Sequence, residues 1–369
     1  MAAKIAFEAV GNSLNQWYGL IRQNHIAEAA AMREEIKRTL ETMEENQDVL
    51  LYFNLIDSRF KLLTERYEES GTLLQNMRKT PEEIGTDNML QYYFYFFGGM
   101  YEFYQKNFTT AINFYKIAEQ SLHKIPDEIE IAEFHYQLSI AYYEIRQNFF
   151  SINHAEKALE SFLAIEHYEH RAASTQMIIA ANKLDLFKYE SAEALFQKAI
   201  NMAADTKQLY AEALGYHNLG ICYERQEKLD PALKAFASAF GILEQLHSKL
   251  STLRTSYMLA RVLFKKGLIE EATGWYKKAA GLAAELDEKT YKAKLLVIHS
   301  IYKEQDEALL DKGLDMLRSK NLWSDAADLA INAARYFKSK NCLNQAAKYF
   351  DEGIIAFDHI QTRKEELAP

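Results

Sequence analysis

The sequence predicts an all-α protein, and three observations carry that prediction. Only 4 prolines and 14 glycines punctuate 369 residues, so few positions break regular backbone. Apolar residues recur at intervals of three and four, the period of a helix with one buried face. In the second half of the chain, small and aromatic residues return at a step close to forty. The length exceeds what one small core organises, and the hydrophobic fraction of 49% supports a folded chain, so two domains or an elongated array are expected.

The first element is a bundle. Leu14, Trp17, Tyr18 and Ile21 form one apolar stripe; Ile26, Ala29, Arg33, Ile36, Leu40 and Met43 form a second; Leu50, Phe53, Ile56, Phe60 and Leu63 form a third. Three amphipathic helices of this length bury a shared core, which predicts a three-helix bundle over residues 1–70. Gly71, Pro81 and Gly85 then mark residues 71–90 as a linker.

Residues 91–369 follow another rule. Tyr216, Leu219, Gly220, Tyr223, Ala232, Phe236 and Ala239 place small residues where two antiparallel helices touch and large ones in the gaps between them. That is the pattern of a tetratricopeptide unit. In the same frame stand Ala180, Ala192, Phe196 and Ala199 before it, and Leu259, Ala260, Leu263, Ala272, Tyr276 and Ala279 after it. Looser copies surround Leu138 and Ala155, Gly99 and Tyr115, and Ala334 and Phe350, with room for a degenerate pair between Tyr291 and Ser319. About seven helix pairs are expected, wound into a right-handed tetratricopeptide-repeat superhelix whose function is to bind peptides and proteins.

Composition narrows the function further. A net charge of -9 argues against sequence-independent nucleic-acid binding, which needs clustered Lys and Arg. Cys222 and Cys342 make no disulfide framework and lack a Cys-x-x-Cys partner for zinc, so buried free thiols are expected. The first residues carry no apolar core of signal-peptide length and no later run spans a bilayer, which predicts a cytoplasmic protein with no membrane partner. His167 and His170 lack a third ligand and read as a surface pair, and Tyr92 to Phe97 reads as an apolar face at the domain junction. Neither a nucleophile elbow nor a phosphate-binding glycine loop is present.

Between the second and third stripes lies Glu44-Glu45-Asn46-Gln47-Asp48, where Asn46 can cap a helix and the acids can complement its positive end. This segment, with Leu51-Tyr52-Phe53, Gln16-Trp17-Tyr18, Tyr92-Tyr93-Phe94, Gly99 to Phe103 and Ala132-Glu133-Phe134, resembles the Rap family of regulators from Gram-positive spore-formers. The resemblance covers nearly the whole chain. It implies a protein that binds a response regulator and removes its aspartyl phosphate, or else sequesters a response regulator or transcription factor without catalysis. Short Phr-type signalling peptides switch most members off. By the same resemblance Gln47 stands at the catalytic position and Glu45, Asn46 and Leu50 at the regulator-binding surface. No cofactor or metal of its own is implied, magnesium being expected on the partner regulator. Asn46 stands where the phosphatases usually have aspartate, Ser58 and Phe60 replace a Phe and a His, and Gly98 replaces an arginine.

The first helix of each repeat lines the inside of a superhelix, so its polar residues face a bound peptide. At this face the sequence places Glu144, Asp185, Arg225 and Lys265 at equivalent positions, acidic early and basic later, together with Tyr257. Asn182 and Asp185 resemble the family's Asn-x-x-Asp stretch and Asn218 its peptide-anchoring asparagine. The implied peptide site is Asn182, Asp185, Asn218, Arg225 and Tyr257, with Asp185 meeting a basic peptide residue and Asn218 holding peptide backbone.

Overall fold

A computed structural model of the chain describes residues 6–77 and 88–365, and these residues are helical throughout apart from short turns. The first three helices are α1 (Phe7–Arg22), α2 (Ile26–Leu40) and α3 (Gln47–Leu63). Their stripes face one another: Leu14, Trp17, Tyr18 and Ile21 are buried, and Trp17 stacks on Phe53 with ring centroids 5.5 Å apart. Two members of the expected stripes fall outside this core. Ile26 and Leu50 are exposed, because each sits in the first turn of its helix, beyond the reach of the neighbouring helix.

Part of the expected linker is a helix. Residues Tyr67–Met77 form α4, which packs on α3, while Pro81 and Gly85 lie outside the described residues. Gly71 serves contact rather than a break in the chain: a Cβ there would sit 2.6 Å from the ring of Tyr101. The repeats follow as α5 (Asn88–Tyr104) with α6 (Phe108–Leu122), α7 (Glu128–Glu144) with α8 (Asn148–Ala164), and α9 (Glu169–Asp185) with α10 (Tyr189–Asp205). Next come α11 (Leu209–Arg225) with α12 (Leu229–Gln245), and α13 (Lys249–Lys266) with α14 (Ile269–Glu285). The degenerate pair is α15 (Lys289–His299), a π-helical turn at Ser300–Glu304 and α16 (Glu307–Arg318). The last pair is α17 (Trp323–Ser339) with α18 (Leu343–Glu365). The fold is thus a helical bundle followed by a tetratricopeptide superhelix, with seven pairs among the described residues.

The repeat pattern is a packing rule made visible. Gly220 lets α11 approach α12 until an added Cβ would lie 2.7 Å from the ring of Phe236, and Ala232, Phe236 and Ala239 are fully buried along the seam. The turns obey a second rule that the sequence hides. Lys106, Arg146, Phe187, Glu227 and Gly267 each close the turn inside a pair with positive φ, yet only one of the five is glycine. A left-handed residue after each helix satisfies its last carbonyls, and the repeat packing holds non-glycine residues in that conformation.

The chain divides into two compact units, Met1–Tyr168 and Glu169–Pro369. The first unit therefore joins the N-terminal helices to the first two repeat pairs, where an expected boundary at 71–90 would have parted them. Shared aromatic burial accounts for this: Tyr18 meets Tyr93 and Phe97 edge-on at 5.5 and 5.7 Å, and Phe96 packs on Phe134 at 5.7 Å. Tyr92, Tyr93, Phe94, Phe96 and Phe97 are all buried in this core.

Within that core lies a carboxylate. Glu130 of α7 has no solvent exposure; it accepts from the Tyr18 hydroxyl at 2.8 Å and the Tyr92 hydroxyl at 3.1 Å, and Arg22 stands 3.5 Å away. Arg22 also donates to Asp127 at 2.6 Å. The polar cluster thereby ties α1 and α5 to α7. Burial pushes the Glu130 carboxyl up to about 7, against the opposing pull of Arg22 and the two hydroxyls. Because the folded value lies above the ordinary value of 4.5, its contribution to stability is full below pH 4.5 and is lost as pH rises through about 7. His135, His154 and His217, pushed down by burial, vary in the opposite sense, so a comparison of variants isolates the carboxyl. Relative to Glu130→Gln, the wild type should lose up to about 3 kcal/mol between pH 5 and pH 8. Urea unfolding of both proteins across that range measures it, and parallel curves would show that Glu130 ionises freely in the core.

Candidate functional site

Gln47 opens α3, and the residue before it fixes that start. Asn46 adopts an extended backbone and its side-chain oxygen accepts from the Val49 amide at 3.0 Å, an N-cap that satisfies one free donor of the first turn. The Gln47 side chain is exposed, with no hydrogen bond to any described residue, and the exposed Glu44, Glu45 and Asp48 surround it in sequence. Leu50, one turn on, leaves 39% of its surface in solvent. A side-chain amide and an apolar side chain therefore share an exposed helix face whose base is held rigidly: Tyr52 donates to Asn15 at 2.9 Å, and Phe53 lies under Trp17. Such a surface can dock a protein and offer it an amide that both donates and accepts.

Ser58, Phe60 and Gly98 are absorbed into the core. Ser58 hydrogen-bonds Ser70 at 2.8 Å, Phe60 is buried and packs on Trp17 at 6.0 Å, and Gly98 lies where a Cβ would fall 2.7 Å from the ring of Phe114.

The second cluster belongs to the second unit, where α9, α11 and α13 pack side by side as the first helices of consecutive pairs. Asn182 is fully buried and donates to the Ile178 carbonyl at 2.8 Å, and Asn218, partly exposed, lies 3.9 Å from the Met177 sulfur. Asp185 pairs with Arg225 at 2.5 Å across α9 and α11. Tyr257 is buried, and burial pushes its hydroxyl up to about 12 against the pull of Arg261. The structure thus brings the five expected residues onto three adjacent helices. It also brings in Glu224, Asp328 and Asn332, which the repeat frame did not single out. Glu224, nearly buried, receives Lys265 at 2.7 Å and Arg261 at 3.4 Å, while Asp328 of α17 meets Arg261 at 2.7 Å and the Asn332 amide oxygen accepts from it. No local pattern joins Arg261 to a residue so far along the chain, so only the fold reveals the contact.

The remaining expectations are placed as follows. Cys222 is a buried free thiol, pushed up by that burial, whereas Cys342 is free but only half-buried because it lies in the turn before α18. His167 is exposed and His170 half-buried, and no metal-binding cluster of three ligands occurs among the described residues. No described helix is long and apolar enough to cross a membrane.

Residues 4–65 match the family model described as the N-terminal region of response regulator aspartate phosphatase H, and residues 171–245 and 211–285 match a tetratricopeptide-repeat model. The chain is 31% identical to response regulator aspartate phosphatase I of Bacillus subtilis (strain 168), covering 96% of this chain and 92% of that protein. It is 33% identical to regulatory protein RapF of the same organism, covering 95% and 94%. A crystal structure of a Rap protein complexed with competence and sporulation factor superposes with a TM-score of 0.89 at 32% identity, covering 96% of this chain and 99% of that one.

The cap beside Gln47 carries its own test. Asn46→Ala should destabilise the protein by about 1 kcal/mol, and Asn46→Asp should retain that stability, since a carboxylate accepts the same amide and favours the helix start. Urea unfolding of the three proteins decides it; an unchanged midpoint in Asn46→Ala would mean that the cap contributes nothing.

Proposed function

The chain belongs to the Rap family, and from that premise we propose that it binds a response regulator through the surface around Gln47, removes the regulator's aspartyl phosphate, and is controlled by a short peptide held on the inner face of the repeats. The observation that carries this reading is the exposed, unengaged amide of Gln47 at a capped helix start, inside the segment that matches the phosphatase N-terminal model.

The chemistry asks little of this chain. In an aspartyl phosphate the bond to break joins phosphorus to the acyl oxygen; water attacks phosphorus opposite that oxygen, and the products are inorganic phosphate and a free aspartate. Magnesium on the regulator would neutralise the phosphoryl charge, leaving the attacking water to be held in line. The Gln47 amide would accept from that water through its oxygen and donate to a phosphoryl oxygen through its nitrogen. Glu45, Asn46 and Leu50 would make the regulator-docking surface, Leu50 supplying apolar contact and Asn46 holding the helix start while its free amide hydrogens face outward. Asn182, Asp185, Asn218, Arg225 and Tyr257 would form the peptide site. Asn218 suits an extended peptide, whose backbone lacks partners.

A second reading keeps the same surfaces without catalysis: the protein sequesters a response regulator or transcription factor and the peptide releases it. Asn46 favours it, since a neutral amide committed to capping stands where the phosphatases usually carry an acid.

One expectation separates these readings. If Gln47 holds the water, Gln47→Ala should slow dephosphorylation of a phosphorylated response regulator by about a hundredfold or more while leaving its affinity within about threefold. A panel of phosphorylated regulators, followed for phosphate loss and for binding, makes the measurement; binding without turnover by the wild type favours sequestration. Asn218→Ala should weaken peptide binding with little dependence on salt, because neutral hydrogen bonds are lost. Calorimetric titration reads this, and unchanged affinity places the peptide elsewhere.

A further inference from the structure

The core of the first unit holds a cation that no described acid neutralises. Arg59 of α3 keeps only 5% of its surface in solvent, its Nη1 is buried with no hydrogen-bond partner, and no carboxylate among the described residues pairs with it. Two acids of this interior are committed elsewhere: Asp57 is held by Arg33 at 2.5 Å, and Glu130 by Tyr18, Tyr92 and Arg22. Two contacts locate Arg59. Tyr52, about two turns earlier on α3, lies on Tyr93 of α5 at 5.6 Å, and Tyr67, just past the end of α3, stacks on Tyr104 at the end of α5 at 5.1 Å. The two helices therefore run side by side in one direction, which sets Arg59 level with Gly99 and Met100. There α6 closes in, since a Cβ on Gly99 would fall 2.5 Å from the ring of Tyr115. Tyr115 has no solvent exposure, and its hydroxyl is likewise buried without a partner. Burial, with Tyr104 nearby, holds that hydroxyl well above its ordinary range against the pull of Arg59, so it stays protonated and can donate.

We propose that the Arg59 guanidinium and the Tyr115 hydroxyl bind a small inorganic monoanion, chloride in ordinary solution, between α3 and α6. A guanidinium has donors only and does not shed its proton, so burying it without a counter-ion is strongly unfavourable. One positive charge flanked by a second donor calls for an acceptor that carries one negative charge. Water would fill a hydrogen bond and leave the charge standing. The close packing around Tyr115, where Gly99 admits no methyl group, favours a monatomic ion over phosphate or an organic acid. The bound ion then ties α3, which Gln47 opens, to the first repeat pair.

The test uses the full chain and two halides. Urea unfolding is followed at constant ionic strength while sodium gluconate is exchanged for sodium chloride. The folding equilibrium constant of the wild type should rise about tenfold by about 0.15 M chloride, because the ion binds the folded chain alone. Arg59→Met, which keeps the length of the side chain and removes its charge, should lose that rise, and Tyr115→Phe should bind chloride about fivefold more weakly. Crystals of the wild type grown from bromide should show an anomalous peak beside the Arg59 guanidinium and the Tyr115 hydroxyl. That measurement, with Tyr115→Phe, decides the matter if Arg59→Met fails to fold. A chloride effect that persists undiminished in folded Arg59→Met overturns the proposal. So does a map with bromide on the surface alone, an adventitious ion only, or one in which a carboxylate of the chain or a water takes the place beside Arg59.

Discussion

The first unit is organised around a carboxylate that water does not reach. Glu130 is held by a hydroxyl from α1, a hydroxyl from α5 and, at longer range, a guanidinium from α1, so three helices that are distant in sequence are committed to one arrangement. An apolar cluster would hold them together as firmly, but hydrophobic contact is indifferent to small sliding, whereas hydrogen bonds to a buried acid are not. The aromatic shell of Tyr92, Tyr93, Phe96, Phe97 and Phe134 excludes water from the site and so makes a misplaced helix expensive. Everything on the outer surface of this unit, Gln47 included, inherits its position from that commitment, through Trp17 and Phe53 at the α1 and α3 contact.

How much of this could be read in advance depends on whether the deciding interaction is local. The repeats were legible because a helix pair needs a small residue opposite a large one at a fixed offset, as Gly220 stands to Phe236. The left-handed turns were not legible: Lys106, Arg146, Phe187 and Glu227 have no intrinsic preference for positive φ and adopt it because packing on both sides leaves no alternative. Gly71 was legible as unusual but was misread, since a glycine signals either a break in the chain or a close approach, and only the Tyr101 ring shows which. The Glu130 cluster joins residues 38 and 112 positions apart, and nothing near any of them announces it.

The candidate sites divide in the same way. Asn46 announced itself as a helix cap by residue type and position, and Gln47 follows as the first exposed side chain of α3. On the inner face, Asp185, Arg225 and Lys265 could be placed at equivalent positions from the repeat step alone, and the fold brings Asp185 and Arg225 into contact. Burial was the hidden quantity. Asn182 and Tyr257 share this face but are buried within it, while Asn218 and Arg225 present surface directly.

That ordering leaves the charges of this face internally balanced. Each acid named on the inner face of the second unit already has a cation, as Asp185 has Arg225, Glu224 has Lys265, and Asp328 has Arg261. Self-pairing keeps an unliganded groove from carrying uncompensated buried charge, which would destabilise the repeats that form it.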